Sequence, residues 1–167
     1  SLTVGTSMEP SPISDSGARP KRADLPGAKG ETIIVVEDDE MIRSLSTRIL
    51  GSLGYRVIAA CDGAVAYEMA SEFPDRVDLV FSDVVMPKCD GPEFVSRLRQ
   101  VRDDFKVLYT SGYTREAFES HSEEREVELL NKPFTPHELA ERVRSVLDTF
   151  TEQAPHNSKE AEEPAAH

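Results

Sequence analysis

The stretch Asp78-Leu79-Val80-Phe81-Ser82-Asp83-Val84-Val85-Met86-Pro87 reads as an apolar strand that stops at an acid, with a proline soon after. The same design occurs three more times. Thr32-Ile33-Ile34-Val35-Val36 stops at Glu37-Asp38-Asp39, and Phe105-Lys106-Val107-Leu108-Tyr109-Thr110 stops at Ser111-Gly112. Val127-Glu128-Leu129-Leu130 stops at Asn131-Lys132-Pro133-Phe134. Runs that are β-branched and apolar on both faces suit parallel strands covered on both sides. In an open parallel sheet, functional groups gather outside the carboxyl ends of the strands. Acids, a hydroxyl and a lysine therefore converge on one edge, which is the chemistry of a phosphoryl-transfer site.

Strand-like and helix-like patterns alternate around these runs. Strands are expected near 32–36, 55–60, 78–82, 105–110 and 126–130. Ile42, Leu45, Ile49 and Leu53 repeat at helical spacing, and Gly54 ends that helix. Ala64, Ala66, Tyr67, Met69 and Ala70 suggest a second helix, and Phe94, Val95, Leu98 and Val101 a third. The segment 114–122 is helical but polar, with Phe118 as its main apolar anchor. The last helix is the clearest: Thr135 as N-cap, Pro136 at N1 and Glu138 at N3 form a capping box. Leu139, Val143, Val146, Leu147 and Phe150 make its buried stripe. Five βα units in series imply an α/β, doubly wound parallel sheet with right-handed crossovers.

The chain has 167 residues and a net charge of −12. A domain of ~120 residues buries enough surface to fold without a disulfide or structural metal. Cys61 and Cys89 have neither redox-motif nor zinc-finger spacing and are expected to be reduced thiols in the cytoplasm. The acidity argues against direct nucleic-acid binding, and no apolar run is long enough to span a membrane. Residues 1–30 are Ser-, Pro- and Gly-rich and read as a disordered linker with one basic group, Arg19, Lys21 and Arg22. Residues 31–150 read as the domain, and 151–167 as a disordered acidic tail. No output domain is apparent.

The four motifs, in this order and spacing, resemble the receiver domain of two-component response regulators, over roughly residues 31–149 and so all of the globular part. The resemblance implies a flavodoxin-like fold with strand order 2-1-3-4-5 and five helices. It makes Asp83 the phosphoacceptor, Ser111 the switch hydroxyl and Lys132 the phosphate-pairing cation. Mg²⁺ (or Mn²⁺) would be held by Asp38, by Glu37 through water, by Asp83 and by the backbone carbonyl of Val85. Asp39 reads as a helix N-cap instead. Thr110 is the rival hydroxyl, expected to point away from Asp83 on the strand's alternation. Met86-Pro87 with Asp90-Gly91 is similar to the family's Met-Pro-x-x-Asp-Gly loop. Lys88 and Cys89 stand where glycine and methionine are common, and Cys89 is expected to be an accessible thiol near the site. Lys132-Pro133 resembles a family dipeptide with a cis bond. Leu129 occupies a place where many receivers carry Tyr or Phe, so the aromatic half of the switch is missing or comes from Tyr109 or Tyr113.

The implied function is phosphoryl acceptance from a histidine kinase or histidine phosphotransfer protein, followed by altered partner binding. The domain itself would not be a turnover enzyme. It is expected to be a monomer or a weak, phosphorylation-dependent dimer. The wording of the motifs is most like receivers of hybrid sensor histidine kinases, with a stand-alone regulator as the other origin. Two rivals remain: an interaction module that lost the chemistry, and an FMN-binding protein or phosphatase on the same architecture. The first βα turn has no Gly-rich phosphate cradle, which disfavours the latter.

Overall fold

The computed structural model describes residues 25–113, 118 and 127–149. Its core strand, β1 (Thr32–Val36), is buried along its whole length. β2 (Arg56–Ala60) and β3 (Leu79–Asp83) flank β1, followed by β4 (Lys106–Ser111) and β5 (Glu128–Asn131). All pairings are parallel and the order is β2-β1-β3-β4-β5. β5 lies one to two residues later than its pattern suggests, a small end effect.

Alternate side chains of each strand feed two cores. Ile33, Val35, Leu79, Phe81 and Leu108 face α1 (Glu40–Ser52) and α4 (Pro136–Asp148). Ile34, Val36, Val80 and Tyr109 face α2 (Gly63–Glu72) and α3 (Gly91–Arg99). Four helices are thus seen among the described residues. The helix expected over 114–122 falls outside them except for Phe118, which is helical and packs in the second core. Phe150, residues 1–24 and the 151–167 tail also lie outside.

Helix ends follow local chemistry. Asp39 caps α1 by accepting from Met41 N–H and Ile42 N–H, as its position suggested. Gly54, at φ +94°, follows the end of α1 in a conformation that glycine adopts without strain. The Thr135–Glu138 capping box of α4 is complete. The buried stripe of α1 is rotated from the expected one. Ser46, Ile49 and Leu50 point inward, and Leu45 is 44% exposed. Two apolar stripes compete on this helix, and tertiary packing selects Ile49-Leu50. Met69 and Val101, also expected to be buried, are exposed, the latter because α3 ends at Arg99.

Residues 25–30, placed in the linker from composition, lie against the domain. Ala28 N–H donates to Leu53 O at 2.9 Å, and the Ala28 side chain packs on the α1/α4 core. Arg144 of α4 reaches Gly27 O at 3.3 Å and Glu31 Oε1 at 2.8 Å.

Candidate functional site

Glu37 is the first residue beyond β1, and its backbone N–H still bonds to Ala60 O at 3.1 Å. This continuation of the ladder turns the side chain inward, to 2% exposure, while Asp38 and Asp39 emerge into solvent. Asp83 ends β3 and is 8% exposed. Lys132 follows β5, with a cis peptide bond to Pro133. From there its Nζ crosses β4 to reach Asp83 Oδ2 at 3.1 Å and Glu37 Oε2 at 2.7 Å.

Glu37, Asp38 and Asp83 each present a carboxylate oxygen to a common point, all within 4.8 Å of one another. Lys132 pairs two of these three acids, Glu37 and Asp83. Burial pushes the Glu37 carboxyl up to about 7, and the charge of Asp83 adds to the effect, while Lys132 acts against both. Burial alone would lower the Lys132 ammonium, but Glu37 and Asp83 outweigh it and hold the group above its usual range. Buried Glu37 Oε2 is held by a close ion pair with Lys132. Three hard carboxylate oxygens at one point, with Lys132 pairing two of the three acids, suit a small divalent cation such as Mg²⁺.

Ser111 ends β4, 2% exposed, and its Oγ accepts from Tyr113 N–H at 3.0 Å. Lys132 N–H donates to Ser111 O at 2.9 Å, joining the two residues through their backbones. Thr110 does not point away from Asp83 as expected. The two are register partners on neighbouring parallel strands, and laterally paired residues share a sheet face. Thr110 Oγ1 is buried there without a hydrogen-bond partner.

The loop after Asp83 also departs from expectation. Cys89 is 4% exposed rather than accessible, and burial raises its thiol pKa. The reason is Lys88, whose φ of +72° turns the chain so that residue 89 faces inward. Gly91 has a role that the spacing alone does not reveal. A Cβ there would lie 2.3 Å from Asp83 O, so a side chain would displace the backbone of the acid. Asp90 caps α3 and fixes the far end of the loop. Val85, which sequence reasoning proposed as a carbonyl ligand, is 59% exposed at the rim, and Met41 and Tyr113 are exposed there too. Arg43 was not singled out from the sequence. Its Nη1 donates to Glu37 O at 2.8 Å and approaches Asp38 O at 3.4 Å.

A doubly wound 2-1-3-4-5 sheet with acids and a lysine joined at its carboxyl edge is an α/β domain whose polar groups gather where open parallel sheets bind ligands. Residues 33–144 match the response regulator receiver domain, and the chain belongs to that family. It is 38% identical over 129 residues to the Brucella abortus sensor kinase CckA, covering 77% of this chain but 13% of the kinase. It is 32% identical to the Brucella abortus response regulator receiver protein CpdR, covering 69% of this chain and 95% of CpdR. Among solved structures, the receiver domain of hybrid histidine kinase CckA matches with a TM-score of 0.60 and 37% identity, covering 70% of this chain and 98% of that one. Vibrio cholerae chemotaxis protein CheY4 matches with a TM-score of 0.62 and 30% identity, again covering 70% and 98%. Residues 33–144 are a receiver domain of two-component systems. No helix among the described residues is long and apolar enough to cross a membrane.

Proposed function

We propose that Asp83 is the phosphoacceptor of this receiver, and that the phosphoryl group comes from phosphohistidine on a histidine kinase or phosphotransfer protein. The P–N bond breaks, a P–O bond to an Asp83 carboxylate oxygen forms, and the imidazole leaves with the electron pair. The observation that carries this reading is the Lys132 bridge between Asp83 and Glu37. It orients the acceptor and places a cation where charge develops in transfer. Glu37, Asp38, Asp83 and the Val85 carbonyl would hold Mg²⁺ or Mn²⁺. Such an ion would supply positive charge for the phosphoryl oxygens of the transition state.

The chain's own residues do the rest. Ser111 Oγ accepts from Tyr113 N–H, so its O–H remains available to donate to a phosphoryl oxygen. Lys132 transfers its attraction from the carboxylate to the new dianion and, through its backbone bond, moves with Ser111. Leu129 is already buried, and its register partner Tyr109 is buried against Phe118. The response therefore runs through the Ser111–Lys132 backbone link rather than through an aromatic swing at residue 129. The greater similarity to the receiver of a sensor kinase, 38% against 32% for CpdR, favours work beside a kinase core in the cytoplasm.

The test is intact mass after incubation with acetyl phosphate. One phosphoryl adduct is expected with Mg²⁺, and none without it or in Asp83→Asn. An undiminished adduct in Asp83→Asn contradicts the assignment.

A further inference from the structure

Arg43 is a cation in the wrong place by two electrostatic criteria. It lies in the second turn of α1, close to the helix N-terminus, where the macrodipole disfavours positive charge. It also lies beside a cluster that needs a divalent cation, which it repels. Helical side chains lean toward the N-terminus, which brings its half-buried guanidinium back over the Glu37-Asp38 turn. There it neither neutralises a site carboxylate nor points to solvent. It donates to the backbone carbonyls of Glu37 at 2.8 Å and Asp38 at 3.4 Å.

The turn it spans is cinched from the other side as well. Asp39 N–H donates to Glu37 Oε1 at 3.2 Å, and Asp39 Oδ1 accepts from Met41 N–H and Ile42 N–H. Of these bonds, those of Arg43 alone fix the carbonyl side of both acids. We propose that Arg43 is a positioning residue for cation binding. It holds the Glu37-Asp38 backbone so that both carboxylates face Asp83, and this gain exceeds the repulsion of its charge. The inference rests on Glu37 and Asp38 being cation ligands.

Because the clamp and the charge act in opposite directions, the sign of one measurement separates them. Mg²⁺ affinity is measured by calorimetric titration of the full chain, wild type, Arg43→Met and Arg43→Lys. Partners that orient metal ligands are typically worth roughly 10–100-fold in affinity. Arg43→Met is expected to bind Mg²⁺ about tenfold more weakly, with Arg43→Lys between it and wild type. Unfolding midpoints should stay close to wild type, and phosphorylation by acetyl phosphate should recover at saturating Mg²⁺. Equal or tighter binding by Arg43→Met overturns the proposal, since only the repulsion would then have been removed. A parallel fall in affinity and unfolding midpoint in both variants also overturns it, because the arginine would then serve the fold. Absence of Mg²⁺ binding by wild type is a different result, and it removes the ligand assignment itself.

Discussion

The two ends of the same sheet treat charge in opposite ways. At the amino edge, Arg144 makes a two-pronged contact with Asp148 at 2.8 and 2.9 Å and reaches Glu31 at 2.8 Å. Tyr55 OH and Gly27 O complete its shell, and Lys29 lies 3.4 Å from Asp148. Two cations face two carboxylates. At the carboxyl edge, three carboxylates meet at one point, and Lys132 pairs two of them. The pKa shifts record the difference. Burial alone would raise Glu31, but Arg144 and backbone N–H donors together outweigh it and leave that carboxyl below its usual value. Arg144 likewise lowers Asp148. Glu37 is pushed up to about 7. One edge is built to be complete, and the other is left short of positive charge, which a metal ion can supply.

The sharpest way to break this contrast is to remove Arg144. Arg144→Met leaves Glu31 and Asp148 without their shared partner, and the loss falls on the largely buried Arg144–Glu31 contact, since Asp148 is half exposed. Denaturant unfolding should show that loss, while the folded protein still accepts phosphate at its wild-type rate. A variant that keeps its stability but loses phosphorylation would show that the two edges are not separate.

A pH series tests both edges together. The lowered Glu31 and Asp148 give stability above their unfolded values of 4.5 and 3.8, and it is lost as pH falls through their folded values. Glu37 works in the opposite direction. Its folded pKa of about 7 lies above the unfolded 4.5, so the native state loses stability as pH rises from 4.5 to about 7. Without metal, stability should peak near the lower end of that window and decline toward neutrality. Glu37→Gln, or added Mg²⁺, should flatten the decline. A metal-free protein whose stability rises steadily to pH 8 contradicts the account.

Two smaller changes sharpen the reading of the site edge. Thr110→Val removes a buried hydroxyl that has no partner, and should stabilise the fold by about 1–2 kcal/mol. If Ser111 is the switch hydroxyl, phosphorylation in Thr110→Val stays normal, whereas Ser111→Ala slows it. A reversed pattern would assign the role to Thr110. Lys88→Gly relieves a left-handed residue and should add about 1 kcal/mol, read from the denaturation midpoint.

Much of this was legible in the chain. Acids and a lysine directly after apolar runs announced the carboxyl edge, and Asp39 and Thr135 announced their helices through local capping chemistry. What was not legible depends on separations along the chain or on single dihedral angles. Thr110 shares a face with Asp83 because of inter-strand register, which alternation within one strand does not reveal. Cys89 is buried because Lys88 adopts positive φ in place of a glycine. Arg144 reaches Gly27 O across 117 residues, a contact that composition does not reveal, so residues 25–30 read as linker. Gly91 reads as a loop glycine until the backbone of Asp83 is seen beside it.

The most direct test of the central claim is the position of the phosphoryl group. Protein treated with a phosphohistidine donor and Mg²⁺ is reduced with borohydride, which converts an aspartyl phosphate to homoserine, and is then sequenced by tandem mass spectrometry. The account predicts homoserine at position 83 and unmodified acids at 37, 38 and 39. Homoserine at position 38, or a stable phosphate on Ser111 with Asp83 untouched, would contradict it.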